Sequence, residues 1–352
     1  MALFEVTEYD KYIYETELKD WLPDKILDVH THVWLDELRD NKTKKKKDHF
    51  TVTWPSLVAL DNSIEDLQET YRLMFPGKDV SALMFTSGGR SAANNDYVAE
   101  SSRKTGWPAL YYSHPTQSAD EIEQKIREGG FLGLKSYLSY APSYIPDNEI
   151  RPMDFFPPHQ LERCNELGAI VMLHVPRSGR LKDKVNIGEI LEIRRRWPKV
   201  RLIVAHIGRA YTKEDVGDAF EYLDQEPETM YDFCANCCEY AITELLKHAG
   251  PKHSMYGTDM PILRMRCRRI EENGTYINLI PPGLYGDPSQ DSHLREVSAE
   301  EAEKITFFAY EELLALKRAW TKLGLTRQDL EDIMYNNAAA LIEGARRDIY
   351  GN

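Results

Sequence analysis

The chain reads as an α/β protein folded as a (β/α)8 barrel. Two observations predict this. Eight short apolar segments alternate with segments of helical spacing between residues 26 and 258. Several of those apolar segments are continuous rather than alternating, as parallel strands covered on both faces tend to be. A third observation narrows the choice. No Gly-X-Gly-X-X-Gly or Walker A pattern is present, which counts against a nucleotide-binding, doubly wound sheet.

In chain order, residues 8–22 predict a leading helix, broken at Pro23-Asp24. The first strand spans 26–34 and reads Ile-Leu-Asp-Val-His-Thr-His-Val-Trp. A strand places Asp28, His30 and His32 on one side, where Asp28 could orient one imidazole and both rings could reach one metal ion. Two unrelated histidines, one bonded and one solvated, are the alternative at this point. Residues 35–50, with Lys42 and Lys44 to Lys47, form a polar run that is either solvated or a lid over the site. A helix over 63–74 is capped by Ser63, with Ile64, Leu67, Tyr71 and Met74 on its inner face. Strands follow at 79–87, closed by Gly88-Gly89, and at 107–113. A helix over 119–128 closes at Gly129-Gly130. The fourth strand, 131–137, carries Lys135 near its end.

A helix over 160–167 stops at Gly168, and the fifth strand, 169–175, ends in His174. Helix 187–197 stops at Pro198; strand six, 200–207, ends in His206. Helix 216–223, strand seven over 229–235, helix 239–248 and a short eighth strand, 254–258, complete the alternation, with Asp259 just after it. Residues 264–293 interrupt the pattern with an apolar loop, expected to pack as a lid or to form a subunit contact. Helices over 298–323 and 326–343 close the chain, the second capped by Thr326 and ending near Gly344. We draw one domain: barrel core about 26–263, insertion about 264–297, C-terminal helices 298–343.

Composition bounds the function. The chain has 352 residues, 42% hydrophobic and 29% charged, and its net charge of −13 argues against a nucleic-acid binder. It holds no apolar run long enough for a bilayer and no signal-like N-terminus, so no membrane association is expected. Five cysteines, an odd number, fit a reduced cytoplasmic protein better than a disulfide framework. Cys234, Cys237 and Cys238 lack a second Cys/His pair at finger-like spacing and read as buried thiols rather than a thiolate metal site.

Barrel enzymes take their reactive groups from the C-terminal strand ends, which share one mouth. His30, His32, Lys135, His174, His206 and Asp259 all fall there. Each alone has an ordinary explanation; together they point to a metal site. Arg177, Arg180 and Arg209 follow strands five and six and either grip a substrate carboxylate or pair with acids of the protein. Tyr137, Tyr140 and Tyr144 either line the pocket or pack. Cys234 and Asn236 are placed at the mouth by strand seven.

In this ordered set the chain resembles the amidohydrolase superfamily, and within it the amidohydrolase-related branch that includes aminocarboxymuconate-semialdehyde decarboxylase. The matching pieces are Asp28-Val-His-Thr-His32, Gly130-Phe-Leu-Gly-Leu-Lys135, His174, His206-Ile-Gly208, Gly257-Thr-Asp-Met-Pro261 and the closing 330–342. The resemblance implies one divalent metal, Zn2+ by default with Mn2+ or Fe2+ as alternatives, held by His30, His32, His174 and Asp259. It implies that His206 is a catalytic group, able to polarise a carbonyl, and that Asp259 is also a proton acceptor. A carboxylated Lys135 bridging two metals is the binuclear alternative. The expected activity is hydrolysis of a small amide, ester or lactone by a metal-activated water, with non-oxidative decarboxylation as the alternative and a non-catalytic metal scaffold as a third reading. Aromatic decarboxylases of this branch often carry Glu-X-His on strand one; His30-Thr-His32 departs from that. The expected partner is a small-molecule substrate, and a homo-oligomer is allowed.

Overall fold

The computed structural model describes residues 2–39, 58–87, 92–224, 226 and 228–351. Eight parallel strands form the barrel: β1 Lys25–His32, β2 Asp79–Phe85, β3 Tyr111–Tyr112, β4 Gly133–Lys135, β5 Ile170–Leu173, β6 Arg201–Val204, β7 Met230–Asp232 and β8 Ser254–Met255. β1 pairs with β2, and β3 to β8 pair in sequence order. A few backbone bonds outside the paired registers close the two seams. Met84 and Leu110 join β2 to β3 (2.8 Å), and the Val29 N–H donates to the Tyr256 carbonyl (3.0 Å) to join β8 to β1. The register of β1 slips between Asp28 and Thr31. Gly133 is required where β4 meets β5, because a Cβ there would stand 1.9 Å from the Ile170 carbonyl oxygen.

Helices cover the outside: α1 Glu8–Ile13, α2 Ile64–Met74, α3 Ala92–Thr105, α4 Ala119–Gly129, α5 Pro158–Leu167, α6 Lys184–Arg196, α7 Ala219–Leu223, α8 Glu239–His248, α9 Phe308–Leu323 and α10 Asn337–Tyr350. α1 runs on into a π-helical turn at Tyr14–Leu18. Ser63 caps α2 as expected, in a reciprocal pair with Asp66, and Ile64, Leu67, Tyr71 and Met74 are buried. Gly130 ends α4 and Gly168 ends α5, both in the left-handed conformation that glycine adopts without strain. Every residue of β5 is buried, as a continuous apolar run covered on both faces requires.

The structure departs from the sequence-based expectation in five places. Strands three to eight are shorter than their apolar runs, because the run continues into the turns at each end. α3 was not expected. Its buried face carries Asn94, Asn95 and Ser101 beside Val98 and Ala99, so hydrophobic periodicity does not reveal it. Asn95 there exchanges two bonds with the Tyr112 backbone (2.9 and 3.0 Å). The helix expected over 298–323 is two helices, Ala299–Ala302 and α9, with a break between them. Gly344 does not end the last helix; α10 passes through it to Tyr350, and the missing side chain leaves room for the Arg201 guanidinium, 2.8 Å from where a Cβ would sit.

The fifth departure is the insertion, which is a small sheet and not an irregular loop. β9 Arg268–Glu272 and β10 Thr275–Ile280 form an antiparallel hairpin, and β11 Leu294–Glu296 joins β10. Asn273 and Gly274 make the two-residue turn, with φ of 53° and 72°, the dipeptide that such turns favour. At the base of the insertion, Arg266 forms a two-bond ion pair with the fully buried Asp10 of α1 (2.6 and 2.9 Å). The expected lid lysines, Lys42 and Lys44 to Lys47, and the Gly88-Gly89 strand end lie outside the described residues.

Candidate metal centre

The C-terminal ends of β1, β5 and β6 and the turn after β8 bring five of the expected side chains together. One nitrogen of His30, one of His32 and one oxygen of Asp259 lie within 4.8 Å of one another. Asp259 Oδ1 stands 2.9 Å from His32 Nε2 and 3.5 Å from His30 Nε2. The His206 ring is centred 4.7 Å from that of His30 and 5.1 Å from that of His174. His30, His206, Asp232 and Cys234 form a second close group of donor atoms; His174 belongs to neither group, and its ring packs against those of His206 and of Tyr137, the latter 4.8 Å away.

The far nitrogens decide the protonation of both strand-one rings. His30 Nδ1 faces Asp232 Oδ2 at 3.0 Å, and His32 Nδ1 faces the Thr86 carbonyl at 3.0 Å. Both partners only accept, so each Nδ1 carries a proton and each neutral ring presents a lone pair at Nε2. Burial lowers His30 to about 4, against the pull of Asp232, so it is neutral at pH 7. Burial alone would raise Asp259, but the imidazoles around it, His32 foremost, hold the carboxyl well below its ordinary value. Two lone pairs and a carboxylate oxygen thus converge, an arrangement that repels itself unless a cation or an added proton sits between them. The donor set fits a divalent ion on that ground.

Asp232, on β7, was missed by the sequence reading. It is fully buried; Oδ1 accepts the His206 N–H at 2.7 Å and the Cys234 N–H at 3.3 Å, while Oδ2 orients His30. Burial would raise it, yet its pairing with His30, a hydrogen bond from Nδ1 included, lowers it to about 2. Asp28 does not orient an imidazole. Its carboxylate accepts the His30 and Thr258 N–H groups at 3.0 Å each and the Tyr71 hydroxyl at 2.8 Å, with the Thr258 hydroxyl as a fourth partner. It therefore locks the seam between β1 and the turn after β8, and burial raises it to about 7.

His206 begins an unusual turn. His206, Ile207, Gly208 and Arg209 have φ of 58°, 50°, 56° and 65°, one full left-handed turn in which only Gly208 is a glycine. His206 Nδ1 faces the Cys234 carbonyl at 3.1 Å and Cys234 Sγ at 3.0 Å. The carbonyl calls for a proton on Nδ1. A neutral His206, favoured because burial lowers it, then accepts at Nε2 and donates there only after being protonated.

Lys135 ends β4 and is 2% exposed, and its ammonium has no hydrogen-bond partner among the described residues. It stands 5.5 Å from the centre of the Phe85 ring, whose edge contacts also reach His30 and His32. Burial lowers it to about 8, although Asp232, Asp259 and Cys234 pull it upward. The arginines hold protein groups. Arg177 pairs with Asp183 (3.1 Å) and Arg180 with Asp215 (2.6 Å); Arg209 donates to the Val175, Pro176 and Arg177 carbonyls at 3.1–3.5 Å. Tyr140 packs on Tyr112 and His114, whereas Tyr144 is 84% exposed. Asn236 donates to the Ala210 carbonyl at 2.8 Å and so ties the ends of β6 and β7 together.

A family model described as amidohydrolase matches residues 27–343. The chain belongs to the amidohydrolase family. Comparison with curated proteins gives no match. Solved structures with this fold include an amidohydrolase from Burkholderia multivorans, 11% identical, with a TM-score of 0.58 over 90% of this chain and 99% of that one. A candidate 2-pyrone-4,6-dicarboxylic acid hydrolase from Pseudomonas putida is 15% identical, with a TM-score of 0.52 over 92% and 99% of the two chains. A dihydroxybenzoic acid decarboxylase from Polaromonas sp. JS666, solved with manganese and 2-nitroresorcinol, is 12% identical, with a TM-score of 0.52 over 93% and 100%. At this identity the amidohydrolase barrel is what the solved structures share with this chain. Among the described residues no helix of this amidohydrolase is long and apolar enough to cross a membrane.

Proposed function

We propose that this amidohydrolase is a metal-dependent hydrolase of a small amide, ester or lactone. The convergence of His30 Nε2, His32 Nε2 and Asp259 Oδ1, with both Nδ1 atoms held by acceptors, is the observation that carries this reading. His30, His32 and Asp259 would hold one divalent ion, with His174 as the ligand from β5. Bound there, a Zn2+ or Mn2+ ion supplies Lewis-acid polarisation of the substrate and of a water molecule.

The residues of the chain divide the remaining work. Asp259 keeps Oδ1 on the imidazoles and offers Oδ2 to the proton of the attacking water. As the C–O or C–N bond breaks, that proton passes to the leaving oxygen or nitrogen, and the carboxylate is restored. His206 is neutral and accepts at Nε2; a proton taken up there from solvent is donated as a hydrogen bond to the oxygen on which negative charge develops and stays on the ring when that oxyanion collapses. Tyr137 and Phe85 wall the imidazole cluster and restrict water around it.

The His-X-His of β1 sets this chain apart from the Glu-X-His aromatic decarboxylases but is shared by muconate-semialdehyde-type decarboxylases, so turnover decides between hydrolysis and decarboxylation. Protein loaded with one equivalent of Zn2+ or Mn2+ is assayed against lactones, esters, amides and aromatic acids. Acid release from a neutral substrate supports the proposal; carbon dioxide release from an aromatic acid with no hydrolysis replaces it by the decarboxylase reading. Elemental analysis is expected to give about one ion per chain, and two ions would move Lys135 into a binuclear site. All five cysteines are free, which suits the proposed cytoplasmic location.

A further inference from the structure

The inserted hairpin is bolted to the two strand ends that surround His206. Arg269 of β9 donates from Nη1 to the Ala235 carbonyl at 2.5 Å and from Nε to Asn278 Oδ1 at 2.9 Å. Asn278 is its direct cross-strand partner on β10 and is 1% exposed, so the guanidinium is aimed by the hairpin itself. Three rings box it in: Tyr276 at 4.4 Å, Phe308 at 4.6 Å and Tyr211 at 4.7 Å. Tyr211 lies two residues beyond the left-handed turn that begins at His206. Ala235 follows Cys234 directly and has a φ of 54°, a conformation that alanine rarely adopts.

Cys234 gives His206 a choice. Its carbonyl, 3.1 Å from Nδ1, asks the ring to donate; its thiol, 3.0 Å from the same nitrogen, can donate to the ring instead. The two cases leave opposite tautomers, and Nε2 faces the reaction as an acceptor in one and as a donor in the other. The peptide that carries the Cys234 carbonyl is joined through Ala235 to the peptide whose carbonyl Arg269 holds. We propose that Arg269 is a positioning residue for His206: by holding the Ala235 carbonyl, the inserted hairpin keeps the Cys234 carbonyl on Nδ1 and so leaves Nε2 free to accept. The inference rests on the catalytic role given to His206 above, but the tautomer can be read with neither metal nor substrate.

The test uses the full-length, metal-free chain labelled with 15N at histidine. Long-range 1H–15N correlation spectra give the tautomer of each ring, and His206 is assigned by the signal missing in His206→Gln. The parent is expected to show His206 protonated at Nδ1. Arg269→Ala should move it toward a mixture with the Nε2-protonated form, Arg269→Lys, which keeps one donor for Ala235, should stay near the parent, and Arg268→Ala should leave it unchanged. Where a substrate is known, Arg269→Ala should lower kcat about tenfold or more with little change in KM. Should Arg269→Ala not fold, Asn278→Ala, which removes the acceptor that aims the guanidinium, takes its place with the same expected shift. A folded Arg269→Ala or Asn278→Ala with the parent His206 tautomer overturns the proposal, as does a parent protonated at Nε2. Loss of hydrolysis in every assay with the tautomer shift intact would instead refute the functional reading alone.

Discussion

Asp232→Asn removes one proton acceptor from the site and keeps its shape. Asp232 Oδ1 accepts the backbone N–H groups of His206 (2.7 Å) and Cys234 (3.3 Å), while Oδ2 faces His30 Nδ1 at 3.0 Å. The two buried backbone donors fix the orientation of the new amide, whose oxygen must stay with them. Its NH2 then points at His30 Nδ1 and donates. His30 has to give up its Nδ1 proton and carry one on Nε2 instead, facing Asp259 at 3.5 Å in the space between the metal donors. Outer-shell partners of metal-binding histidines contribute about 10–100-fold in affinity, or about 1.4–2.7 kcal/mol. The lost charge-assisted bond should also lower stability by about 1.5–3 kcal/mol. Competition with a chromogenic chelator for Zn2+ or Mn2+ measures the first quantity and urea unfolding of metal-free protein the second. A folded Asp232→Asn protein with the parent's metal affinity would refute the claim that Asp232 sets the His30 tautomer.

The remaining predictions concern the three groups that face the ion and the substrate. Asp259→Asn still offers an oxygen to the metal but cannot take a proton, so part of the metal should be retained while turnover falls about 10²–10⁴-fold; near-parent turnover with an unchanged pH–rate profile would make Asp259 a structural residue. His206→Ala should keep most of the metal and lose most turnover, and metal loss as severe as in His174→Ala would make it a ligand. Burial lowers Lys135 from 10.5 to about 8, so the unfolded chain binds the extra proton between those values. Stability of the metal-free protein therefore rises as pH goes from 8 to 10.5, and Lys135→Met lacks that rise. The methionine variant should be the more stable by up to about 3 kcal/mol at pH 7, with the difference gone near pH 10.5. Parallel pH dependences in the two proteins would show that Lys135 does not titrate as a buried ammonium between pH 8 and 10.5.

What could be read from the sequence was chemistry placed at strand ends. His30, His32, Lys135, His174, His206 and Asp259 are rare residue types at the close of apolar runs, and the barrel rule gathers such positions at one mouth. The structure brings His30, His32 and Asp259 together and sets His174 and His206 beside them. Elements whose inner face is polar were invisible. α3 buries Asn94 and Asn95, so no apolar stripe marks it. The hairpin did carry a signal, Asn273-Gly274 between apolar runs, but Arg268, Arg269 and Glu271 mask the alternation of β9. Asp232 was missed for a different reason. An acid ending a strand has many ordinary uses, and only the fold shows that this one lies 3.0 Å from His30, 202 residues away in the chain.

The conformations of the strand ends were equally hidden, and they explain why Asp232 sits where it does. β6, β7 and β8 each lead into a non-glycine residue with positive φ: His206 at 58°, Ala235 at 54° and Asp259 at 54°. Each such residue costs roughly 1–2 kcal/mol, and Ile207 and Arg209 add to the total beside His206. His and Asp tolerate a left-handed backbone better than most residue types, but they adopt it too seldom to announce it, and Ala gives no such sign. Strain of this size persists only where other interactions fix it. At His206 they are the full burial of Ile207, the Arg209 bonds to the end of β5, and the Asp232 carboxylate on the His206 N–H. At Ala235 the guanidinium of Arg269 takes the carbonyl. Asp232 thus does two things with one carboxylate: one oxygen holds the strained turn that presents His206, and the other fixes the proton on His30. A neutral or displaced group at that position would disturb both His30 and the His206 imidazole. The two effects separate in Asp232→Asn, which keeps an oxygen for the turn and loses the acceptor for His30.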